Sequence, residues 1–257
     1  MSPIGISWIV FACVFGGALV GMLLRGFLPG HYLDADSKNV VNLGMALVAT
    51  LSALVLGLLI ASAKGSYDAQ TGEVISMSAD IVLLDRILAR YGPEASAARE
   101  VLRRTAVALD RSWSEGTSRS ARLDSQEVRS GATRFYEKIQ ELAPHNDFER
   151  LLQSQALQTA YNLAQTRSLL LQQAGSSVPV PFLVVMVFWL TVIFTSFGLF
   201  APRNPAVIGT LIVCALIVCA LSVSGAIYLI LELDNPFAGL MRISAGPLHN
   251  AIAQISQ

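Results

Sequence analysis

The chain has 257 residues, of which 53% are hydrophobic and only 14% are charged, and its mean hydropathy is +0.55. This composition is too apolar for an ordinary soluble domain and predicts a membrane protein. Its 18 basic and 18 acidic residues cancel, so the chain lacks the net basic surface that binding to nucleic acid requires.

Four apolar stretches have the length of about 20 residues that a helix needs to cross the hydrocarbon core of a bilayer. They run approximately over residues 4–24, 41–63, 180–201 and 206–231, and none has a charged residue or a histidine in its interior. A charge at the centre of a membrane helix costs roughly 2.5 kcal/mol or more. The clean centres therefore predict an all-α membrane protein with four transmembrane helices, arranged as two hairpins over residues 1–63 and 180–231.

The first stretch also has features of a secretory signal, because it ends in small residues. It lacks a basic start, however, and its apolar run is longer than the core of about 7 to 15 residues that a signal carries. We therefore predict a retained transmembrane helix. Cys13, Cys214 and Cys219 all lie inside predicted spans, where we expect apolar packing residues rather than disulfides.

Residues 64–179, between the second and third spans, hold 14 of the 18 Lys and Arg and 14 of the 18 Asp and Glu. Apolar residues recur there at intervals of three and four, which is typical of helices packed against one another. The pattern predicts a soluble bundle of four helices inserted between the hairpins. The first helix of the bundle continues the second span. Its apolar seam, the line of apolar residues expected to face the other helices, comprises Tyr67, Val74, Met77, Ile81, Leu84, Leu88 and Tyr91.

The ends of these helices are marked by residues that break or cap a helix. Gly92-Pro93 ends the first, because proline cannot donate to the helical ladder. The second helix runs from about Pro93 to Trp113. Asp124 or Ser125 caps the third, which Pro144 closes. The fourth follows Asn146 and ends near Ala174. Its expected seam is Phe148, Leu152, Gln155, Leu163 and Leu170.

No catalytic, metal or cofactor site is predicted. His31, His145 and His249 are scattered without metal-ligand spacing, and neither a phosphate-binding glycine loop nor a nucleophile motif is present. The four spans also lack the ionisable groups that intramembrane catalysis or proton-coupled transport requires. These features favour a pore, a sensor or a structural membrane protein over an enzyme.

The second span is the candidate pore helix, because polar and small residues cluster in it. Thr50, Leu54 and Leu58 are four residues apart and share one face. In a ring of identical helices this face would form a narrow apolar constriction of the kind that gates by dewetting. The alternative is that the small residues only permit close helix packing in lipid.

A short polar motif follows the last span and opens the C-terminal tail, residues 232–257. The Asn-Pro pair is expected to stop the helix at the membrane surface, and the Phe to anchor the turn against neighbouring helices. The two carboxylates are expected to pair with Lys64 or Arg242; the rival interpretation is that they ring a pore mouth and attract cations. The motif consists of Glu232, Asp234, Asn235, Pro236 and Phe237.

Four segments carry a family resemblance: LDADSKN from Leu33, ALVLGLLIASAK from Ala53, IVLLDRILARYGPEA from Ile81 and ELDNPFAG from Glu232. Together they resemble a bacterial family of uncharacterised function called the bestrophin-like domain. The similarity to true bestrophins is confined to short motifs, among them the Val-Leu-Gly of their pore helix and the Asn-Pro-Phe after their last span.

The resemblance implies a ring-shaped homo-oligomer, pentameric by analogy, with an axial path for inorganic ions. Through Val55-Leu56-Gly57 the neck residues of bestrophins fall on Thr50, Leu54 and Leu58, with Thr50 departing from the apolar pattern, and Gly57 is implied as a packing residue of the pore helix. It also implies a bacterial inner membrane, with the termini and the central domain in the cytoplasm.

Charge alone leaves that orientation open, because three basic residues lie near the span ends on each side. They are Lys64, Arg167 and Arg242 on the side of the polar region and Arg25, Lys38 and Arg203 on the other. Bestrophins follow their Asn-Pro-Phe motif with an acidic run that binds calcium, whereas this chain continues AGLMRISAGPLHN. We therefore predict a channel that is not activated by calcium. The alternative is a non-conducting scaffold or sensor whose soluble bundle binds a ligand or protein partner.

Overall fold

The computed structural model describes residues 2–27, 35–115, 124–172, 179–200, 213–237 and 239–256. Within these ranges the chain forms eight α-helices and one 3₁₀ turn at Pro93–Ala95. The helices are α1 (Pro3–Phe27), α2 (Ala35–Tyr91), α3 (Ser96–Glu115), α4 (Gln126–Gln140), α5 (Asp147–Gln172), α6 (Val180–Leu199), α7 (Val213–Leu233) and α8 (Gly246–Ile255).

The chain divides into two compact units. The membrane unit comprises residues 1–66 and 177–234, and the polar unit comprises residues 67–176 and 235–257. Helix α2 contributes to both, since its 57 residues run without a break from the second apolar stretch into the polar region. This continuity agrees with the prediction that the first helix of the bundle continues the second span, and Gly65 and Gly72 are tolerated within it at about 1 kcal/mol each.

Four helices of the membrane unit are long and apolar enough to cross a membrane: α1, α2, α6 and α7. The bounds of α1 and α6 lie within three residues of the predicted spans. Helix α7 begins at Val213, and the predicted start of the fourth span, residues 206–212, lies outside the described residues. His31 lies outside them as well.

Small residues bring α1 against α6 and α7. A Cβ at Gly21 would collide with the backbone carbonyl of Thr195, and one at Gly198 would collide with that of Ala18. Between α1 and α7 the Ser224 hydroxyl donates to the backbone carbonyl of Ser7 over 2.7 Å. Close backbone contact through small residues is the common mode of helix packing in lipid.

The polar unit packs around a single apolar core. Every residue of the predicted α2 seam is buried there except Tyr67, which is half-buried. Met77 is a core residue, as predicted from its spacing, and Trp113 and Phe135 are buried in the same core. Fully burying one large apolar side chain contributes about 1.5–3 kcal/mol, so the buried residues of this seam together stabilise the unit substantially.

The helix ends of the polar unit follow local chemistry. Helix α2 ends at Tyr91, and Gly92 adopts a φ of 126°, which favours glycine. Of the two predicted caps of α4 it is Ser125 that accepts a hydrogen bond from the Val128 N–H, over 3.4 Å. At the start of α5 the Asn146 side chain accepts from the Glu149 N–H over 2.8 Å.

The expected seam of α5 was wrong at two positions, because Phe148 and Gln155 are exposed. Phe148 lies in the first turn, one turn before the first buried residue, Leu152. Gln155 directly precedes the buried Ala156, so its amide remains in solvent while the smaller side chain faces the core. Three of the five buried residues of α5 are small, Ala156, Thr159 and Ala160, and the spacing argument passed over their weak apolar signal.

The C-terminal segment is also more ordered than its sequence indicated. Helix α8, for which no prediction was made, packs against α3 and buries Leu248, Ala251 and Ile255. Ahead of it Phe237 is only 4% exposed, and its ring meets that of Trp113 edge to face with 5.4 Å between centroids. The segment after the last span is thus part of the core of the polar unit.

Candidate functional site

The membrane part of α2 differs from the other membrane helices in how little of it the chain itself covers. In its most apolar 18-residue segment 11% of the residues are buried, against 33% in α1, 33% in α6 and 28% in α7. A helix with so much uncovered apolar surface must contact lipid, pack against another copy of the chain or line a pore.

One face of α2 packs into the core of the membrane unit. Ser52, Leu59 and Ala63 are buried, and their spacing of seven and four places them on one side of the helix. Partly buried side chains extend the same contact: Met45, Val48, Val55 and Leu56. This face attaches α2 to its own chain.

A stripe of large apolar residues lies on the opposite face. Leu54 and Leu58 are 67% and 66% exposed, and Leu43 and Leu47 continue the line toward the N-terminus of α2. Since successive residues of a helix are turned by about 100°, Thr50 falls on the same line, roughly opposite Leu59. We call Leu43, Leu47, Thr50, Leu54 and Leu58 the α2 stripe.

Thr50 carries the only hydroxyl group among the five residues of the α2 stripe. The hydroxyl donates to the backbone carbonyl of Ala46 over 2.9 Å, so its proton is satisfied within the helix. Its oxygen keeps acceptor capacity toward the exposed side. The stripe can therefore present a polar acceptor one turn before the two exposed leucines.

Two glycines border the α2 stripe. Gly57 lies three residues after Leu54 and next to Leu58, which places it at one edge, and Gly44 lies at the other edge. A Cβ at either glycine would have no neighbour within 4 Å in the chain. Any packing role of Gly57 therefore needs a second molecule.

The motif after the last span is divided between interior and surface. Glu232 is only 3% exposed, whereas Asn235 is exposed. The Arg242 guanidinium donates to the backbone carbonyl of Gly239 over 3.0 Å. A carboxylate buried within its own chain is poorly placed to ring a pore mouth, so the burial of Glu232 disfavours that interpretation for this residue. Pairing of the carboxylates with Lys64 or Arg242 stays a prediction.

The described residues show no group of three or more His, Cys, Asp and Glu side chains that could hold a metal ion. His145 lies 3.8 Å from Glu94, and His249 lies 3.0 Å from Asp110. All these contacts are on the outside of the polar unit. They are separate pairs, and in neither pair do several functional side chains gather around one point as in a catalytic site.

All three predicted pore residues, Thr50, Leu54 and Leu58, therefore lie on one uncovered face of α2. Spacing alone did not reveal Leu43 and Leu47 as members of that face, although they continue its intervals of four and three. The reason is that apolar residues surround this segment of α2, and only the packing of Leu59 and Ala63 shows which side is occupied.

Comparison with protein families gives one informative result. The model described as the bestrophin-like domain matches residues 12–248, which is nearly the whole chain. The match begins inside α1 and extends into α8, so both units are included. A comparison with curated proteins finds no match.

Proposed function

Because the chain belongs to the bestrophin-like domain family, we propose that it forms a passive ion channel, a ring of identical chains whose axial pore is lined by the α2 stripe. The observation that carries this proposal is the uncovered face of α2. The residues expected to line a pore lie opposite the side by which α2 is attached to its own membrane unit.

The chemistry of the α2 stripe suits a gate. In a ring Leu54 and Leu58 from every copy would converge into two apolar layers, and a narrow apolar constriction excludes water until it widens. Thr50 would add one ring of hydroxyl oxygens beside these layers. Since residues 40–63 contain no ionisable side chain, the proposed transport is passive and involves no proton relay.

Assembly of such a ring does not rely on the hydrophobic effect, because lipid tails are as apolar as leucine. Close packing has to supply the attraction instead. Gly44 and Gly57 suit this role, since they leave open space at the two edges of the stripe where neighbouring copies of α2 would lie. The proposed occupants of these edges are the adjacent α2 helices of the ring.

We further propose that opening does not require calcium. A calcium site takes six to eight oxygen ligands, and residues 239–256 contain neither Asp nor Glu. The proposed location is a bacterial inner membrane with the termini and the polar unit in the cytoplasm.

The test is single-channel recording from purified protein in planar bilayers under asymmetric salt. The parent should conduct, and Leu54→Ala and Leu58→Ala should each raise the open probability or the conductance, because they widen the apolar constriction. Leu221→Ala is the matched control, since Leu221 is an exposed leucine on α7. It should leave the current unchanged.

Silence of the parent and both variants, in samples shown to be folded oligomers, would overturn the channel proposal. It would favour a non-conducting scaffold or a sensor whose polar unit binds a ligand. An equal response of Leu221→Ala would contradict the assignment of the pore to α2.

A further inference from the structure

The polar unit contains a cavity of about 450 Å³ between α2, α3, α4 and α5. It opens to solvent beside the exposed residues Thr133, Tyr136 and Ala164. Sites for small molecules occupy about 300–1,000 Å³, so this cavity is of ligand size. Its apolar wall is formed by Met77, Ile81, Leu102, Leu109, Phe135 and Leu163.

Small side chains keep the cavity open. Four alanines line it, and larger residues at these positions would fill the space: Ala106, Ala132, Ala160 and Ala164. Helices α3 and α4 cannot close over it, because they already touch nearby: a Cβ at Gly131 would collide with the side chain of Thr105. The opening therefore follows from the packing of the helices around it.

One end of the cavity is basic. Arg167 lines the apolar cavity and also an adjoining polar pocket of about 360 Å³, which it shares with Arg129, Gln126 and Ser130. The Arg167 guanidinium donates to the Asp124 carboxylate over 2.8 Å, and Arg129 lies 3.7 Å from the same carboxylate. Two guanidinium groups thus share one carboxylate, which leaves a positive charge in excess among these three side chains.

Arg167 is the better enclosed of the two cations, with 17% of its side chain exposed against 63% for Arg129. Burial lowers the pKa of the Arg167 guanidinium, Asp124 acts in the opposite direction, and Arg129 lowers it further. A guanidinium in a protein nevertheless keeps its proton. A second anion beside Arg167 would compensate for the solvent that this group has lost.

We propose that the cavity binds an amphipathic anion, an alkyl chain with a carboxylate head: the chain lies among the apolar side chains, and the head pairs with Arg167 and Arg129. Glu137 also lines the cavity and would repel an anionic head, which places the head at the arginine end. The site lies wholly within the polar unit, so this inference is independent of whether the protein conducts.

The test is photolabelling of the full chain in lipid nanodiscs with a dodecanoic acid that carries a diazirine on its alkyl chain. Mass spectrometry should find labelled residues on the cavity wall, such as Phe135 and Leu163. Arg167→Gln should raise the probe concentration needed for half-maximal labelling about tenfold, since it removes a charge-assisted hydrogen bond to the carboxylate head. Arg150→Gln is the matched control on the same helix, because Arg150 and its partner Asp147 are exposed, and it should bind as the parent does.

Two further arms separate charge from shape. Ala164→Leu keeps both arginines but fills part of the cavity from a position that is itself exposed, so it should reduce labelling of the wall while the protein stays folded. The corresponding dodecanol probe should label parent and Arg167→Gln alike, because its head is uncharged. Label confined to α1, α6 and α7, or wall labelling unaffected by both variants, would overturn the proposal.

Discussion

Helix α1 and the membrane part of α2 are both apolar and both contain glycines, yet the glycines have different surroundings. Gly17 and Gly21 of α1 face α6 so closely that an added Cβ would collide with it, whereas Gly44 and Gly57 of α2 face open space. The first pair completes the interior of one chain, and the second lies where only another molecule can reach it. Small residues in a membrane helix therefore indicate close packing without saying whether the partner belongs to the same chain.

The largest expected effect comes from placing a large side chain in the close contact between α1 and α6. Gly21→Leu places a side chain against the backbone of α6, and overpacking of this kind costs about 3 kcal/mol. Thermal unfolding in mild detergent should show a clear loss of stability. Gly16→Leu is the matched control on the same helix, since a Cβ at Gly16 meets nothing within 4 Å. If both variants unfold alike, the close approach of α1 and α6 is wrong.

A large side chain at Gly57, which has open space around it in the single chain, should affect assembly instead of folding. Gly57→Leu should leave unfolding of the single chain within about 0.5 kcal/mol of the parent, as for a surface substitution. It should weaken each contact between neighbouring copies about 5- to 150-fold, because overpacking costs about 1–3 kcal/mol at each contact. Native mass spectrometry from detergent measures the oligomer. Gly225→Leu on α7, which also has open space around it, should keep the parent's assembly state, and equal assembly of all three proteins would argue against a contact at Gly57.

A smaller effect is expected from Thr50→Val, which removes the hydroxyl of the α2 stripe at nearly constant shape. Folding stability should change by no more than about 0.5 kcal/mol, because the hydroxyl bonds only to its own helix. Conductance should fall severalfold, since the polar ring beside the leucines is lost. Recordings from Thr50→Val and Thr50→Ser in the same bilayers separate this effect from a change in pore width, because serine retains the hydroxyl. A serine variant as impaired as the valine variant would contradict a role for the hydroxyl.

Where strong local signals exist, the sequence predicts the fold closely. The length and clean centres of the apolar stretches located the membrane helices, and Gly92-Pro93 marked the end of α2. Helix α8 was missed because it has only ten residues. Its buried residues, Leu248, Ala251 and Ile255, recur at intervals of three and four, but so short a helix is stable only through its packing on α3.

The candidate site was only partly accessible from the sequence. The spacing of Thr50, Leu54 and Leu58 placed them on one face, but the whole segment is apolar, and which face the chain itself covers depends on the tertiary contacts of Leu59 and Ala63. The cavity of the polar unit was inaccessible for a related reason. A seam of apolar residues predicts that helices pack, whereas a void depends on four alanines from three helices meeting in space.

The claim that the α2 stripe faces an axial, water-filled path is tested most directly by thiol accessibility in intact membranes. In a background where Cys13, Cys214 and Cys219 are replaced by alanine, single cysteines at Leu47, Leu54 and Leu58 would be exposed to a charged, water-soluble thiol reagent. A cysteine at Leu221 of α7 is the control for a lipid-facing position. We predict that the α2 positions react, since cysteine is smaller than leucine and therefore widens the apolar constriction, and that the Leu221 position does not. Unreactive α2 positions, in oligomers of normal size, would show that this face lies in lipid and would contradict the account.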